Sequence, residues 1–506
     1  MLALGIDSGT QGTKALVVDT ETGKVCGRGY TRHRMVPGLK PGESEQDPRE
    51  WIQAMEQAIS QALQSSGVDR RKISCLGVSG QQHGFVPLDE NFQPVRPAKL
   101  WNDTSTVEEA EEIVRALGGQ KSYTEKLGIN LAVGYTASKI LWLKKHEPKN
   151  YARTRLVLLP HNFLNLYLTG IPHMEYGDAS GSGLMDIRKR CWHPEAIGAI
   201  DPELEKKLPP ISHPAEPVGY VRREVAEKLG LGRVLVSAGG GDNMMAAIGT
   251  GNVTPGIFTV SLGTSGTIFS YSGEPFTDPE GEIAAFCDST GGWLPLLCTM
   301  NVTNTTELLK DLLQIDNDEL ERLAGETGAG AAGLLFLPFI DGERVPVLPE
   351  SSGVFFGLTR QNFTRSHLAR AVIEGTILNL NYGFSRMKQL GLKPAEIRAT
   401  GGGARSRTWL RVVADIFETP VFTLKEPESA ALGAALQAAW CYLRQDHPEL
   451  QIKEITEKLV KKDTLAFQPD PERSAVYREL QTRFNSLWKS LKSEFSEHRR
   501  LVRSRF

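Results

Sequence analysis

Residues 2–18 read Leu-Ala-Leu-Gly-Ile-Asp-Ser-Gly-Thr-Gln-Gly-Thr-Lys-Ala-Leu-Val-Val, two apolar runs either side of a tip of small residues. A third run starts at Lys24 after the turn Glu21-Thr22-Gly23, so the N-terminus reads as a three-stranded antiparallel meander. The tip, Gly9-Thr10-Gln11-Gly12-Thr13, returns as Gly263-Thr264-Ser265-Gly266-Thr267, again between an apolar strand and a second one beginning Ile268-Phe269. From 9 to 263 the offset is 254, half of a 506-residue chain. Motif, flanking strands and spacing together point to duplication. The expected fold is α/β, with two domains of like topology over residues 1–247 and 248–506.

Outward from the meander, Asp47-Pro48-Arg49-Glu50 offers an N-cap, a proline at the first helical position and a capping-box acid. Trp51, Ile52, Met55, Ile59, Ala62 and Leu63 keep helical spacing to about Ser65, so one face should pack on a sheet. Strands are expected at 73–79, 234–238 and 397–400, and helices at 406–417 and from Glu428. The last of these is rich in small residues that permit close packing.

The composition narrows the function. Lys+Arg 58 against Asp+Glu 60 leaves a net charge of −2, which offers no electrostatic footprint for nucleic acid or an anionic membrane. No apolar stretch reaches the roughly 18 residues of a membrane helix. The N-terminus meets Asp7 without a basic region, unlike a signal peptide. Six dispersed cysteines argue against a disulfide framework or zinc site. A cytoplasmic protein with a small-molecule partner is expected. Glycine is in excess, 50 of 506, about fifteen above the usual share. Twelve of these (Gly9, Gly12, Gly80, Gly84, Gly239, Gly240, Gly241, Gly263, Gly266, Gly401, Gly402 and Gly403) fall at strand ends, where backbone is expected to approach a ligand.

No Walker or dinucleotide fingerprint occurs. Each small-residue hairpin can turn backbone N–H groups toward phosphate, or be a plain turn. Asp7 closes the first strand, where a carboxylate can hold Mg²⁺ or cap the turn; its counterpart in the second copy is Ser261. Asp242, after Gly239-Gly240-Gly241, is placed to take a proton from a substrate hydroxyl, or to cap the helix that follows. Gly401-Gly402-Gly403-Ala404 can lie flat against a planar base or serve helix packing. Gln82 and His83 between Gly80 and Gly84, and Trp101-Asn102-Asp103, supply polar groups beside an aromatic wall, suited to a sugar.

These residues resemble the FGGY family of carbohydrate kinases, in the actin, hexokinase and Hsp70-ATPase superfamily. Its two signature regions are matched by Gly134–His146 and by Gly353–Leu358 continued to Glu374. Gly80–Gly84, Leu100–Asp103, Gly239–Asn243, Asp341–Arg344, Gly401–Ser406 and Glu428–Gly433 are similar to its xylulokinase branch. The resemblance implies two ribonuclease H-like domains with an interdomain catalytic cleft, and ATP-dependent, Mg²⁺-dependent phosphorylation of D-xylulose. It makes Asp242 the general base, and Asp7 and Asp242 the metal-associated acids. Gln82, His83, Trp101, Asp103 and Asn243 would hold the sugar. Gly9, Thr10, Gln11, Gly12, Thr13, Lys14, Gly263, Thr264, Ser265, Gly401, Gly402, Gly403 and Ala404 would hold ATP. Neither nucleic acid nor membrane is implied as a partner, and a homodimer is left open. Two rival readings are a kinase for another pentulose or polyol, such as ribulose, and an Hsp70- or actin-like ATPase switch.

Overall fold

The meander forms as expected. In the structure, a computed structural model describing residues 1–505, the strands Leu2–Ser8, Gly12–Asp19 and Lys24–Arg32 run antiparallel, with Asp7 opposite Lys14 and Ser8 opposite Thr13. The first strand pairs on its other side, in parallel, with Ile73–Gly80, and that strand with Leu235–Val236. Around the second hairpin the arrangement repeats. Ile257–Leu262 is antiparallel to Gly266–Ser270, which is antiparallel to Trp293–Thr299. On the other side Ile257–Leu262 is parallel to Glu396–Thr400, and that strand to Val421–Leu424. Both sheets therefore read third, second, first, fourth, fifth strand across, the topology that duplication requires.

The chain folds into two compact units that are discontinuous in sequence. The first comprises 1–254, 271–295 and 428–461, the second 255–270, 296–427 and 462–506. The cut at 247 follows the chain, whereas these units do not: 428–461 covers the first sheet, and 271–295 packs on Tyr176–Ala179 and Ser180–Ser182 of the first unit.

Glycines explain how the first unit is held. Helix Pro48–Ser66 lies on the meander over Gly27 and Gly29, where a Cβ would stand 2.1 Å from the Ala62 carbonyl oxygen and 2.0 Å from that of Ala58. Helix Ser429–Leu443 covers the opposite face over Gly5 and Gly77, neighbours in register whose Cβ atoms would meet the Ala431 and Ala434 carbonyls at 1.9 and 2.1 Å. The same helix crosses helix Asp242–Gly249 so closely that a Cβ on Gly433 would lie 1.8 Å from the Met245 carbonyl oxygen. Asp47 caps its helix through Arg49 N, while the Glu50 carboxylate is drawn to Arg34 at 2.6 Å. No helix among the described residues is long and apolar enough to cross a membrane.

Candidate active site

Three strand ends line up in register in the first unit. Asp7 stands opposite Ser79, and Ser79 opposite Gly240, which with Gly241 makes a two-residue strand. At roughly 4.8 Å between neighbouring strands, this row brings Asp7 and the start of helix Asp242–Gly249 together at the carboxyl ends of parallel strands, where open α/β sheets bind ligands. Gly239 makes the turn possible by adopting φ +71°, close against the Val78 carbonyl.

Asp242 keeps a partial opening to solvent. Burial, reinforced by the charges of Asp7 and Asp178, pushes its carboxyl up to about 7. Its Oδ1 accepts from Asn243, through the backbone N at 2.8 Å and Nδ2 at 3.1 Å. Asn243 Nδ2 also donates to Gln82 Oε1 at 2.8 Å. Asp7 accepts from Ser79 Oγ at 2.9 Å, and burial holds it above its ordinary value despite Lys14 and Ser79.

The first hairpin is braced from beneath. Thr10 Oγ1 donates to Gln81 Oε1 and accepts from Trp101 Nε1, both at 3.0 Å. The Thr10 carbonyl accepts from Gln46 Nε2 at 2.7 Å. Thr13 Oγ1 touches Ser8 Oγ and His33 Nε2. Gln11 stands exposed at the tip, and Lys14 pairs with Glu428 at 2.5 Å. Because the Trp101 N–H serves the hairpin, what this residue offers a ligand is its ring face.

His83 sits at φ +60°, a left-handed conformation uncommon outside glycine that Asn, Asp and His adopt more readily than other residues. Lys139, fully buried, holds it there. Its Nζ donates to the His83 carbonyl at 2.7 Å and the Gly134 carbonyl at 2.5 Å, and burial lowers it to about 7. The imidazole stacks on Tyr135 at 4.4 Å between ring centroids, with Nδ1 2.8 Å from the Gly181 carbonyl.

Asp103 does not join this group. It is wholly buried, and its oxygens accept from Lys99 Nζ, Ser44 N and Ser105 N and Oγ. Lys99, itself 0% exposed, bridges it to Glu45 at 3.1 Å beneath the Trp142 ring. This carboxylate neutralises a buried lysine and has no free face for a sugar.

The structure also brings in residues the sequence reading passed over: Glu175, Asp178 and His161, all fully buried. His161 Nδ1 lies 2.8 Å from Asp178 Oδ2, and Glu175, raised to about 8 by burial, accepts from the backbone N of Gly177 and Asp178 at 2.6 Å. Within Tyr176-Gly177-Asp178 the sequence offers no glycine-bounded strand end, the signal used for the other sites.

In the second unit, the carbonyls of Gly263 and Thr264 accept from Thr303 N and Val302 N, which fixes the hairpin Gly263–Ser265 to the start of helix Thr303–Leu313. Gly401, at φ +83°, presses on Leu262 in that same hairpin, and Gly403 meets the Leu262 side chain at 2.8 Å. Gly402 faces open space, with Ala404 next in the same 3₁₀ turn. The twelve strand-end glycines therefore divide. Gly9 and Gly402 leave the backbone approachable, Gly263 would bring a Cβ to 3.2 Å, and Gly12, Gly80, Gly84, Gly239, Gly240, Gly241, Gly266, Gly401 and Gly403 would each drive a Cβ to within 2.8 Å of protein atoms. Those nine serve chain packing.

A duplicated α/β fold with a small-residue hairpin in each copy and a raised carboxyl at the sheet's end suits a phosphoryl-transferring enzyme. The profile of the FGGY family of carbohydrate kinases, N-terminal domain, matches residues 2–249, and that of its C-terminal domain matches residues 258–442. The chain belongs to the FGGY family of carbohydrate kinases. A curated relative, xylulose kinase of Haemophilus influenzae, is 46% identical over 444 residues, 86% of this chain and 90% of that protein. The crystal structure of a "xyloylose kinase" from Brucella ovis superposes with a TM-score of 0.90 at 30% identity, covering 97% of this chain and 100% of that one. A glycerol kinase from Plasmodium falciparum shares the fold, with a TM-score of 0.85 at 21% identity over 97% of this chain and 98% of that one. As a member of a kinase family the protein uses ATP, and the switch reading from the sequence is set aside.

Proposed function

We propose that the protein transfers the γ-phosphoryl group of ATP to the terminal hydroxyl of D-xylulose, giving D-xylulose 5-phosphate and ADP, with Asp242 as general base. Asp242 carries the reading. A carboxyl lifted to about 7 is matched to proton abstraction near neutral pH, which an ordinary aspartate is not. Asn243, bonded to both Asp242 and Gln82, links the base to a sugar-binding amide. The names of the relatives support the choice of sugar. As the hydroxyl oxygen bonds to phosphorus, its proton passes to Asp242, and the bond from the γ-phosphorus to the bridging oxygen of ADP breaks in line.

The sugar would be held by Gln82, His83, Asn243 and the face of Trp101. Phosphates and adenosine would be held by Gly9 to Lys14, by Gly263, Thr264 and Ser265, and by Gly401 to Ala404. Magnesium suits the donor set: Asp7 and Asp242 are hard oxygen ligands, and Asp7 disfavours the charge on Asp242, an excess of negative charge that a cation relieves. Among the described residues no group of three or more His, Cys, Asp or Glu side chains gathers for a metal. Asp7 and Asp242 would therefore share the ion with nucleotide phosphates and water. When bound, the ion offsets the charge on the transferring group.

ADP release measured over a panel of ketopentoses, aldoses and polyols tests the substrate. D-xylulose is expected to give the highest kcat/KM. A preference of about tenfold or more for ribulose or any other sugar overturns that choice, and ATP hydrolysis indifferent to every sugar overturns the acceptor class.

A further inference from the structure

Among the buried polar atoms of the first unit that lack a partner, two belong to side chains that meet at Gly241. Gln82 is 5% exposed and its Nε2 donates to nothing; Asp178 is 0% exposed and its Oδ1 accepts from nothing. A Cβ placed on Gly241 would lie 2.6 Å from Gln82 Cγ and 3.0 Å from both the Gln82 carboxamide carbon and Asp178 Oδ1, so the two side chains close on the same glycine.

Their orientations are fixed from behind. The carboxylate of Asp242 accepts from Asn243 Nδ2, which also donates to Gln82 Oε1, and this leaves Gln82 Nε2 as the outward atom. On the other side Asn162 Nδ2 lies 2.8 Å from His161 Nε2. The imidazole proton is thereby set on Nδ1, which donates to Asp178 Oδ2 at 2.8 Å and turns Oδ1 away. A buried donor or acceptor left unsatisfied costs about 1–3 kcal/mol, and here one of each converges.

We infer that Asp178 is a substrate-binding residue: its Oδ1 accepts from, and Gln82 Nε2 donates to, a single hydroxyl of the sugar other than the one phosphorylated. A hydroxyl both donates and accepts, as the pair requires. A phosphate or carboxylate oxygen is repelled by Asp178, and an apolar group leaves both atoms unpaired. This inference rests on the sugar-kinase reading and adds the residue that distinguishes polyhydroxylated acceptors by one position.

The test is equilibrium binding of D-xylulose and each of its monodeoxy derivatives, without nucleotide, to the wild type, Asp178→Asn and Gln82→Met. The wild type is expected to bind one derivative at least about tenfold more weakly than D-xylulose. Asp178→Asn, which presents a donor where an acceptor is needed, is expected to bind D-xylulose about tenfold more weakly and to treat that derivative and the parent alike. Should Asp178→Asn fail to fold, Gln82→Met together with the wild-type derivative series decides the matter. Discrimination preserved in a folded variant, or a wild type indifferent to every deoxygenation, overturns the inference. A wild type that ignores D-xylulose but binds another sugar overturns the substrate assignment instead, and the deoxygenation series of that sugar then decides the role of Asp178.

Discussion

Asp242→Asn is expected to lower kcat for sugar phosphorylation by about 100- to 10,000-fold, the usual contribution of a positioned general base, while sugar and nucleotide still bind. The asparagine preserves shape and can still meet Asn243, so binding survives while proton transfer does not. The same substitution is expected to stabilise the protein, with a definite pH dependence. Folding raises this carboxyl from 3.8 to about 7, so the folded state binds the proton more tightly than the unfolded state does. The wild type is thus least handicapped at pH values below the unfolded pKa, and loses stability as pH rises toward the folded one. The melting temperature of Asp242→Asn, measured without magnesium or nucleotide, should exceed that of the wild type clearly at pH 8 and hardly at pH 4. Near wild-type turnover, or a variant less stable than the wild type at pH 8, would refute the assigned role.

Gly433→Val is expected to be the most damaging substitution outside the site, destabilising the first unit by about 3 kcal/mol or more. Gly433 lies against the Met245 carbonyl, where a Cβ would stand at 1.8 Å, and on the same crossing Gly249 meets the Ser429 carbonyl at 1.8 Å. Backbone cannot yield as a flexible side chain does, so one helix must move. The displaced helix begins at Asp242, three residues before Met245. Gly433→Ala, the milder variant, should therefore lose kcat even where it remains folded. Chemical denaturation with a parallel rate measurement checks both, and a Gly433→Val protein of wild-type stability would refute the packing.

Much of this could be read along the chain, because hairpins and helices are local. The repeated small-residue tip located both meanders, and Asp47-Pro48 located a helix. What failed depended on contacts that only the folded chain makes. Nothing in Trp101-Asn102-Asp103 reveals that Lys99 and Ser44 occupy the carboxylate. Asp178 acquires its role through His161 and Gln82, 428–461 joins the first unit only by returning to its sheet, and 271–295 joins it by packing on Tyr176–Ala179. The glycine surplus was only half understood. A glycine forced by a nearby carbonyl looks, in sequence, the same as one that admits a ligand, and Gly12 and Gly402 differ only in what surrounds them.

The most direct test of Asp242 as the base is the pH dependence of kcat/KM for D-xylulose from pH 5 to 9 at saturating magnesium and ATP. Burial, with the charges of Asp7 and Asp178, raises the carboxyl, and a bound cation lowers it. The rate should therefore climb with pH from pH 5 along a limb of unit slope, about tenfold per pH unit, and level off between about pH 6 and 7. A profile that is flat across this range, or that falls as pH rises from 5 to 7, would contradict it.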